Sequence, residues 1–297
     1  MSHARPQPHC GGAQPVGTRP NPVGFSAHAS TMARDVPLPE RLTVFARAGF
    51  DAFEIWWPFS TAAPSRRDVD KFLSLVAAYP LRLSGMNLYE GGSSSGARGL
   101  ACIPEAAAAL DSSIDVAAIV ANETGCGTFN LLYGNVSADI DRDAADAAAL
   151  TSFRKAVAVL RGPNTRIVLE HLSVGNNPNY PIRTPQQALD LLDGLDPDTR
   201  LHTSVLLDGY HIAADALDGE SAAARLMASA EYAATAGHVQ FADNPGRGAP
   251  GTGALPIGHF LRGVRAAGYT GSIGCEFVCT ASTVSSVARS LTTLIDT

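Results

Sequence analysis

Six oxygen-bearing side chains, Glu54, Asn87, Glu170, Asp208, Gln240 and Glu276, stand at or near the ends of six separate apolar runs. The last four of them close the last four runs of the chain. A strand-end carboxylate can simply cap the helix that follows, which would account for one or two of these residues but not for four in succession. Glu170, Asp208, Gln240 and Glu276 together would offer oxygen ligands alone, three ionised and one neutral. That set suits one hard divalent cation, Mg2+ or Mn2+, better than zinc. Packed carboxylates repel one another, and a doubly charged ion relieves the repulsion while leaving the group anionic, so an anionic substrate requires a separate cation. Arg247, in the run ADNPGRGAPGTG after Gln240, is the candidate, because its planar fork can grip a carboxylate through two parallel hydrogen bonds.

His211 lies three residues beyond Asp208 in LLDGYH, on the same expected rim, where it could polarise a substrate oxygen. His238 precedes Gln240 by two positions and shares its side of the strand. Trp56 and Trp57 are adjacent on a strand, so they face opposite sides and divide between pocket wall and core. Gly246, Gly248 and Gly251 match the G-x-G-x-x-G spacing of a nucleotide site. Here Pro250 interrupts and helical spacing resumes only near Pro256, so no helix opens directly on the glycines to hold a pyrophosphate.

What must position these residues is an alternation of short β-branched and aromatic runs with longer helical stretches. The expected strands are GFSAHAS, FEIWW, LRLSGMN, TFNLLYG, RIVLE, SVLLD, HVQFAD and SIGCEF. The expected helices are 39–48, 66–79, 103–124, 140–160, 184–195, 221–236, 257–267 and 282–295, with Asp143, Thr184 and Ser282 near helix starts. Strands joined by helical crossovers call for a parallel sheet covered by helices. Eight units can close into a barrel, and an open doubly wound sheet uses the same alternation. Either architecture gathers functional residues at the carboxyl ends of its strands.

The chain has 297 residues, 45% hydrophobic and 17% charged, a composition for a globular core and against a disordered or fibrous protein. A net charge of -6 gives no electrostatic reason to bind phosphate backbones or anionic lipid. No apolar run approaches a membrane span, so a cytoplasmic location is expected. Residues 1–23, rich in Pro, Gly, His and Gln, are expected to form a disordered leader, where His3 and His9 have no role, and 24–297 a single domain. Five cysteines without zinc spacing, Cys10, Cys102, Cys126, Cys275 and Cys279, are expected to be reduced thiols.

In their order along the chain, ACIPE, VLEHL, DGYH, HVQFADNPGRGAPGTG and GYTGSIGCEF resemble the hydroxypyruvate isomerase family, from about Gly24 to the C-terminus. The long HVQFADNPGRGAPGTG segment is the most specific of these. The resemblance implies an α/β fold, the (β/α)8 TIM barrel of xylose-isomerase-like proteins. It implies that Glu170, Asp208, Gln240 and Glu276 bind the metal and that Glu170 and Glu276 also move substrate protons. His211 would assist catalysis, and Arg247, Glu54, Asn87 and Trp56 would contact substrate. The implied reaction interconverts hydroxypyruvate and tartronate semialdehyde. Rival readings are a 3-epimerase or isomerase of longer keto-sugars or their acids, a metal-dependent nuclease, and a non-catalytic sugar-binding descendant. The expected partner is a small hydroxy-keto acid or keto-sugar, without nucleic acid or membrane; self-association into a homo-oligomer is left open. The chain departs from the family pattern at His28, His171, Ser173 and Ala254, where the family usually has Asn, Pro, Asn and Glu.

Overall fold

The computed structural model describes residues 24–92, 95–136, 140–175, 177–216 and 219–295. The expected leader, with His3, His9 and Cys10, lies outside the described residues. Eight strands, β1 (Phe25–His28), β2 (Ala52–Ile55), β3 (Arg82–Asn87), β4 (Thr128–Asn130), β5 (Arg166–Glu170), β6 (Thr203–Asp208), β7 (Ala236–Phe241) and β8 (Ile273–Cys275), pair in chain order into a closed barrel. Every pairing is parallel, and β1 closes on β8 through Phe25 opposite Ile273. Of the two architectures that the alternation allows, the chain therefore adopts the barrel.

The eight expected helical stretches appear, seven of them within about four residues of their expected bounds: α1 (Leu38–Ala48), α2 (Arg66–Ala77), α3 (Ala107–Thr124), α4 (Arg142–Leu160), α5 (Pro185–Leu192), then α8 (Gly219–Ser229), α9 (Ile257–Ala266) and α10 (Val284–Ile295). The exception, α8, stops short of the expected 236, giving way to a 3-10 turn over Ala230–Ala234 before β7 begins at Ala236. Thr184 caps α5 as expected, accepting the Gln187 backbone N–H at 3.2 Å, with Pro185 fixing the first helical φ. Asp143 instead sits inside the first turn of α4, after Asp141 at the cap position. Two short helices were not expected, α6 (Pro197–Leu201) and α7 (Gly209–Ala214), since one turn or so carries no measurable apolar period.

The apolar core lies between strands and helices. Phe25, Phe53, Phe129, Phe241 and Ile273 from the strands meet Phe45, Phe153, Phe260 and Leu291 from the helices, all buried. The barrel interior is polar instead. Glu54, His238 and Gln240 are each at most 5% exposed, although all three carry polar groups that water would otherwise solvate. Gly274 makes that filling feasible: a Cβ there would collide with Glu54 Oε1 and lie 2.7 Å from Gln240 Cγ. Its missing side chain is the space through which Glu54 reaches across.

Candidate active site

Glu170, Asp208 and Gln240 are each delivered by a strand end with one polar atom tied and another left open, whereas Glu276 has both oxygens engaged. Glu170 Oε2 accepts the Asn130 Nδ2 hydrogen bond at 2.7 Å, which turns Oε1 toward His211 Nε2, 3.7 Å away. Asp208 ends β6 and caps α7, accepting the Tyr210 N–H on Oδ1 at 2.8 Å, so that Oδ2 faces the carboxylate cluster. The Gln240 amide donates Nε2 to Glu54 Oε1 at 3.2 Å, and its Oε1 is buried without a donor. Glu276 Oε1 accepts the Trp56 indole N–H at 3.1 Å, while Oε2 lies 2.9 Å from Arg247 Nη2.

His211 is placed by the one-turn helix α7, which returns it to the rim beside Asp208. Its Nδ1 accepts the Ser173 backbone N–H at 3.1 Å, with Ser173 Oγ at 2.9 Å. The neutral ring therefore carries its proton on Nε2, 3.6 Å from Asp208 Oδ2. Burial and the Arg247 charge lower the His211 pKa, so this neutral form persists. His28 is built in the same way: Nδ1 accepts the Ser30 N–H at 3.3 Å and Nε2 faces Glu276 Oε1 at 3.7 Å. His171, the departure next to Glu170, is fully buried with neither ring nitrogen hydrogen-bonded; burial pushes its pKa down to about 3. Nothing in the structure explains a histidine there.

The loop after β7 is held by one carboxylate. Asp243 accepts the backbone N–H groups of Asn244, Gly251, Gly253 and Leu255 at 2.8–3.0 Å. Within this frame Arg247 takes a left-handed φ of 54°, rare for a residue with a side chain. Its guanidinium lies over the Tyr210 ring, 4.8 Å from the centroid, and bridges Glu276 Oε2 and Asp208 Oδ2, the latter at 3.8 Å. Burial opposes the charge, but Glu276, Asp208 and Glu170 outweigh it and raise the Arg247 pKa. Burial, then repulsion from Glu276 and Asp208, holds the Glu170 carboxyl well above the usual carboxylate range. Burial and Glu276 push Asp208 up to about 7.

Two of the four expected ligands, Asp208 and Gln240, keep a buried oxygen that no hydrogen-bond donor satisfies, and Glu276 Oε2 is met by Arg247 Nη2. Buried oxygens of this kind are costly unless something positive meets them, so the donor set fits a cation. Glu170, Asp208 and His211 also present atoms within 4.8 Å of one another that could hold a metal ion. The proton on His211 Nε2 argues for His211 as a donor beside the metal rather than a ligand.

Glu170, Glu276, His211, Arg247, Trp56 and Asn87 line a cavity of about 270 Å³, joined by Glu90, Arg98, Leu132 and Asn177, which the strand-end pattern did not single out. Glu54 does not reach this cavity. It lies behind Gln240, 2% exposed, and accepts His238 Nε2 on Oε2 at 2.5 Å. Its expected contact with substrate is corrected to a supporting one, because both its oxygens are already engaged inside the barrel. His238 points the same way as Gln240, as expected, but into that buried layer. Asn130 was missed although it ends TFN as Asn87 ends its own strand. Trp57 packs against Phe59 and Tyr89 and donates Nε1 to Thr61 O at 2.9 Å.

A closed (β/α)8 barrel with acidic oxygens gathered at the carboxyl ends of its later strands is the frame of the sugar-isomerase class of barrels. The description "Xylose isomerase-like TIM barrel" matches residues 42–293, and the chain belongs to that family. A Streptomyces coelicolor protein, provisionally named a hydroxypyruvate isomerase, is 35% identical over 85% of this chain and 90% of its own length. The 2-oxo-tetronate isomerase of Haemophilus influenzae is 26% identical over 85% of this chain and 92% of its own. A crystal structure titled AP endonuclease, family 2, from Brucella melitensis superposes with a TM-score of 0.76 at 26% identity, covering 89% of this chain and 98% of that one. The relatives make the chain an enzyme, an isomerase of the aldose–ketose type. No helix among the described residues is long and apolar enough to cross a membrane.

Proposed function

We propose that the chain interconverts hydroxypyruvate and tartronate semialdehyde with the help of one divalent cation, Mg2+ or Mn2+, held by Glu170, Asp208, Gln240 and Glu276. The observation that carries this reading is the pair of buried oxygens on Asp208 and Gln240 that accept no hydrogen bond, together with the Glu170 and Glu276 carboxylates at the wall of a small cavity. When bound, such a cation supplies Lewis-acid polarisation of two neighbouring substrate oxygens. The chain's own residues do the rest. One of Glu170 and Glu276 takes a proton from C3 of hydroxypyruvate, giving an enediolate, and the other returns a proton to C2, while the proton of the C3 hydroxyl passes to the C2 oxygen so that the carbonyl ends on C3. Each glutamate is held for this by a fixed donor, Asn130 Nδ2 for Glu170 and Trp56 Nε1 for Glu276. His211 Nε2–H donates to a substrate oxygen as charge develops there.

The relatives' names support a keto-acid substrate, and a four-carbon 2-oxo acid is the nearest competitor to hydroxypyruvate. A nuclease reading finds less support: a polyanionic strand meets Glu90, Glu170 and Glu276 on the walls of a cavity of about 270 Å³. The test is to incubate Mn2+-loaded protein in D2O with hydroxypyruvate, a four-carbon 2-oxo acid and a neutral ketose, and follow deuterium at carbon by NMR. Deuterium entering hydroxypyruvate at C3 is expected. Exchange into the ketose alone would make the protein a keto-sugar epimerase, and binding without any exchange would make it a non-catalytic descendant.

A further inference from the structure

Two cationic side chains line the cavity, Arg247 and Arg98, and they are in opposite situations. Arg247, which the sequence suggested for the substrate carboxylate, is already engaged: Nη2 lies 2.9 Å from Glu276 Oε2, Nε donates to the Glu276 carbonyl at 3.3 Å, and its face covers Tyr210. Three carboxylates, this guanidinium and one divalent cation cancel in charge. An anionic substrate then adds a negative charge that none of these groups offsets.

Arg98 makes no hydrogen bond or ion pair with any described residue, and its side chain is exposed at the cavity. Its charge is nevertheless felt in the site, since it works against protonation of both His211 and Glu90. Glu90 stands on the same wall without forming an ion pair with it. The backbone supplies an independent observation. Arg98 has a left-handed φ of 53°, which among the described non-glycine residues it shares only with Ala33 and Arg247.

The segment around Arg98 is pinned so that this conformation cannot relax. Gly99 N–H donates to Glu90 O at 3.1 Å, Asn135 N–H to Ala97 O at 2.6 Å, Asn135 Nδ2 to Gly96 O at 2.6 Å, and Cys102 N–H to Tyr133 O at 2.8 Å. Gly99 bridges Tyr133 in antiparallel fashion, so close to the Leu132 carbonyl that no Cβ would fit. Strained residues held in place by everything around them concentrate at ligand clamps. Here the clamp holds at the cavity wall a guanidinium that no described residue engages.

We propose that Arg98 is the receptor for the substrate carboxylate, and that Arg247 belongs to the protein's own carboxylate cluster. The inference rests on the keto-acid reading above and names the residue that makes the cavity prefer an acid to a neutral sugar. The ligand class is a three- or four-carbon hydroxy- or oxo-carboxylate.

The probe is hydroxymalonate, an unreactive dicarboxylate, titrated by calorimetry into Mn2+-loaded protein beside neutral dihydroxyacetone. Arg98→Gln should raise the Kd for hydroxymalonate about 10- to 100-fold and flatten its salt dependence, while dihydroxyacetone binding moves less than about twofold. Arg98→Lys should recover part of the loss, keeping charge without the fork. An unaltered melting temperature shows that Arg98→Gln still folds. With hydroxypyruvate as substrate, KM should rise while kcat holds. If the wild type isomerises hydroxypyruvate and Arg98→Gln leaves its KM and the hydroxymalonate Kd unchanged, this assignment fails and the isomerase reading stands. If the wild type neither binds hydroxymalonate nor exchanges hydroxypyruvate protons, both fail together. Equal losses toward acid and neutral ligand would reduce Arg98 to a support for the cavity wall.

Discussion

The strand ends of β5 to β8 and the end of β2 carry the same kind of residue in the same kind of place, yet they differ in what is left open. Glu170, Asp208 and Gln240 each have one polar atom bonded inside the protein and one facing the site. Glu54 has both oxygens engaged, by His238 and by Gln240. The difference separates groups that meet a ligand from groups that aim them. Burial would raise the Glu54 pKa, but the bond and charge of His238, with Gln240, bring it below the usual range, so it remains an acceptor. An acceptor on that side compels the Gln240 amide to present its oxygen, not its nitrogen, to the carboxylates. A polar residue at a strand end is thus ambiguous in function until the fate of each of its atoms is known.

The largest expected effect comes from changing a carboxylate at the cavity itself. Glu276→Gln should lower kcat about 10²–10⁴-fold and weaken Mn2+ binding at the same time, read by steady-state kinetics and by metal titration. Retained activity would erase the distinction between the two sectors. Glu54→Gln should act at one remove, weakening Mn2+ about 10–100-fold, as loss of a partner behind a ligand does, with folding intact. Metal affinity equal to wild type in that variant would show that the Gln240 amide needs no guide.

The third prediction concerns pH and needs no substrate. An aspartate with an unfolded value near 3.8 and a folded value of about 7 takes up its proton in the native state first as pH falls, so stability rises from pH 8 toward 7. Glu170 acts in the same direction. The neutral buried imidazoles of His28, His171 and His211, all lowered from 6.5, act oppositely, because below that value the unfolded chain binds protons that the native chain refuses. Thermal melts of metal-free protein should therefore peak near pH 6.5–7, and Asp208→Asn should flatten the alkaline side. A melting temperature that climbs steadily to pH 8.5 would contradict it. The smallest effect is expected for Trp57→Phe, which leaves the cavity untouched and should keep kcat within about twofold.

The barrel was legible in the sequence because each strand announces itself by its apolar run and each crossover by helical spacing. Glu170, Asp208, Gln240 and Glu276 were legible for the same reason, as polar interruptions at fixed places in that rhythm. Glu54 was misplaced because its role depends on a hole, Gly274, two strands away around the ring. The division between Arg98 and Arg247 was invisible too, since it is set by which guanidinium finds a carboxylate after folding. Asn130 carried a usable signal and was overlooked; the six-residue helix α7, which turns His211 to the rim, carried none.

The four N–H groups gathered by Asp243 have a consequence for how such a protein can diverge. Because a single buried carboxylate dictates the path from Asn244 to Leu255, that path depends little on the exposed positions along it. Gly246 and Ala254 are both exposed. The loop behaves as an interchangeable cassette: its outward residues can be rewritten, by descent or by design, while the guanidinium it carries stays in register with the carboxylates beneath.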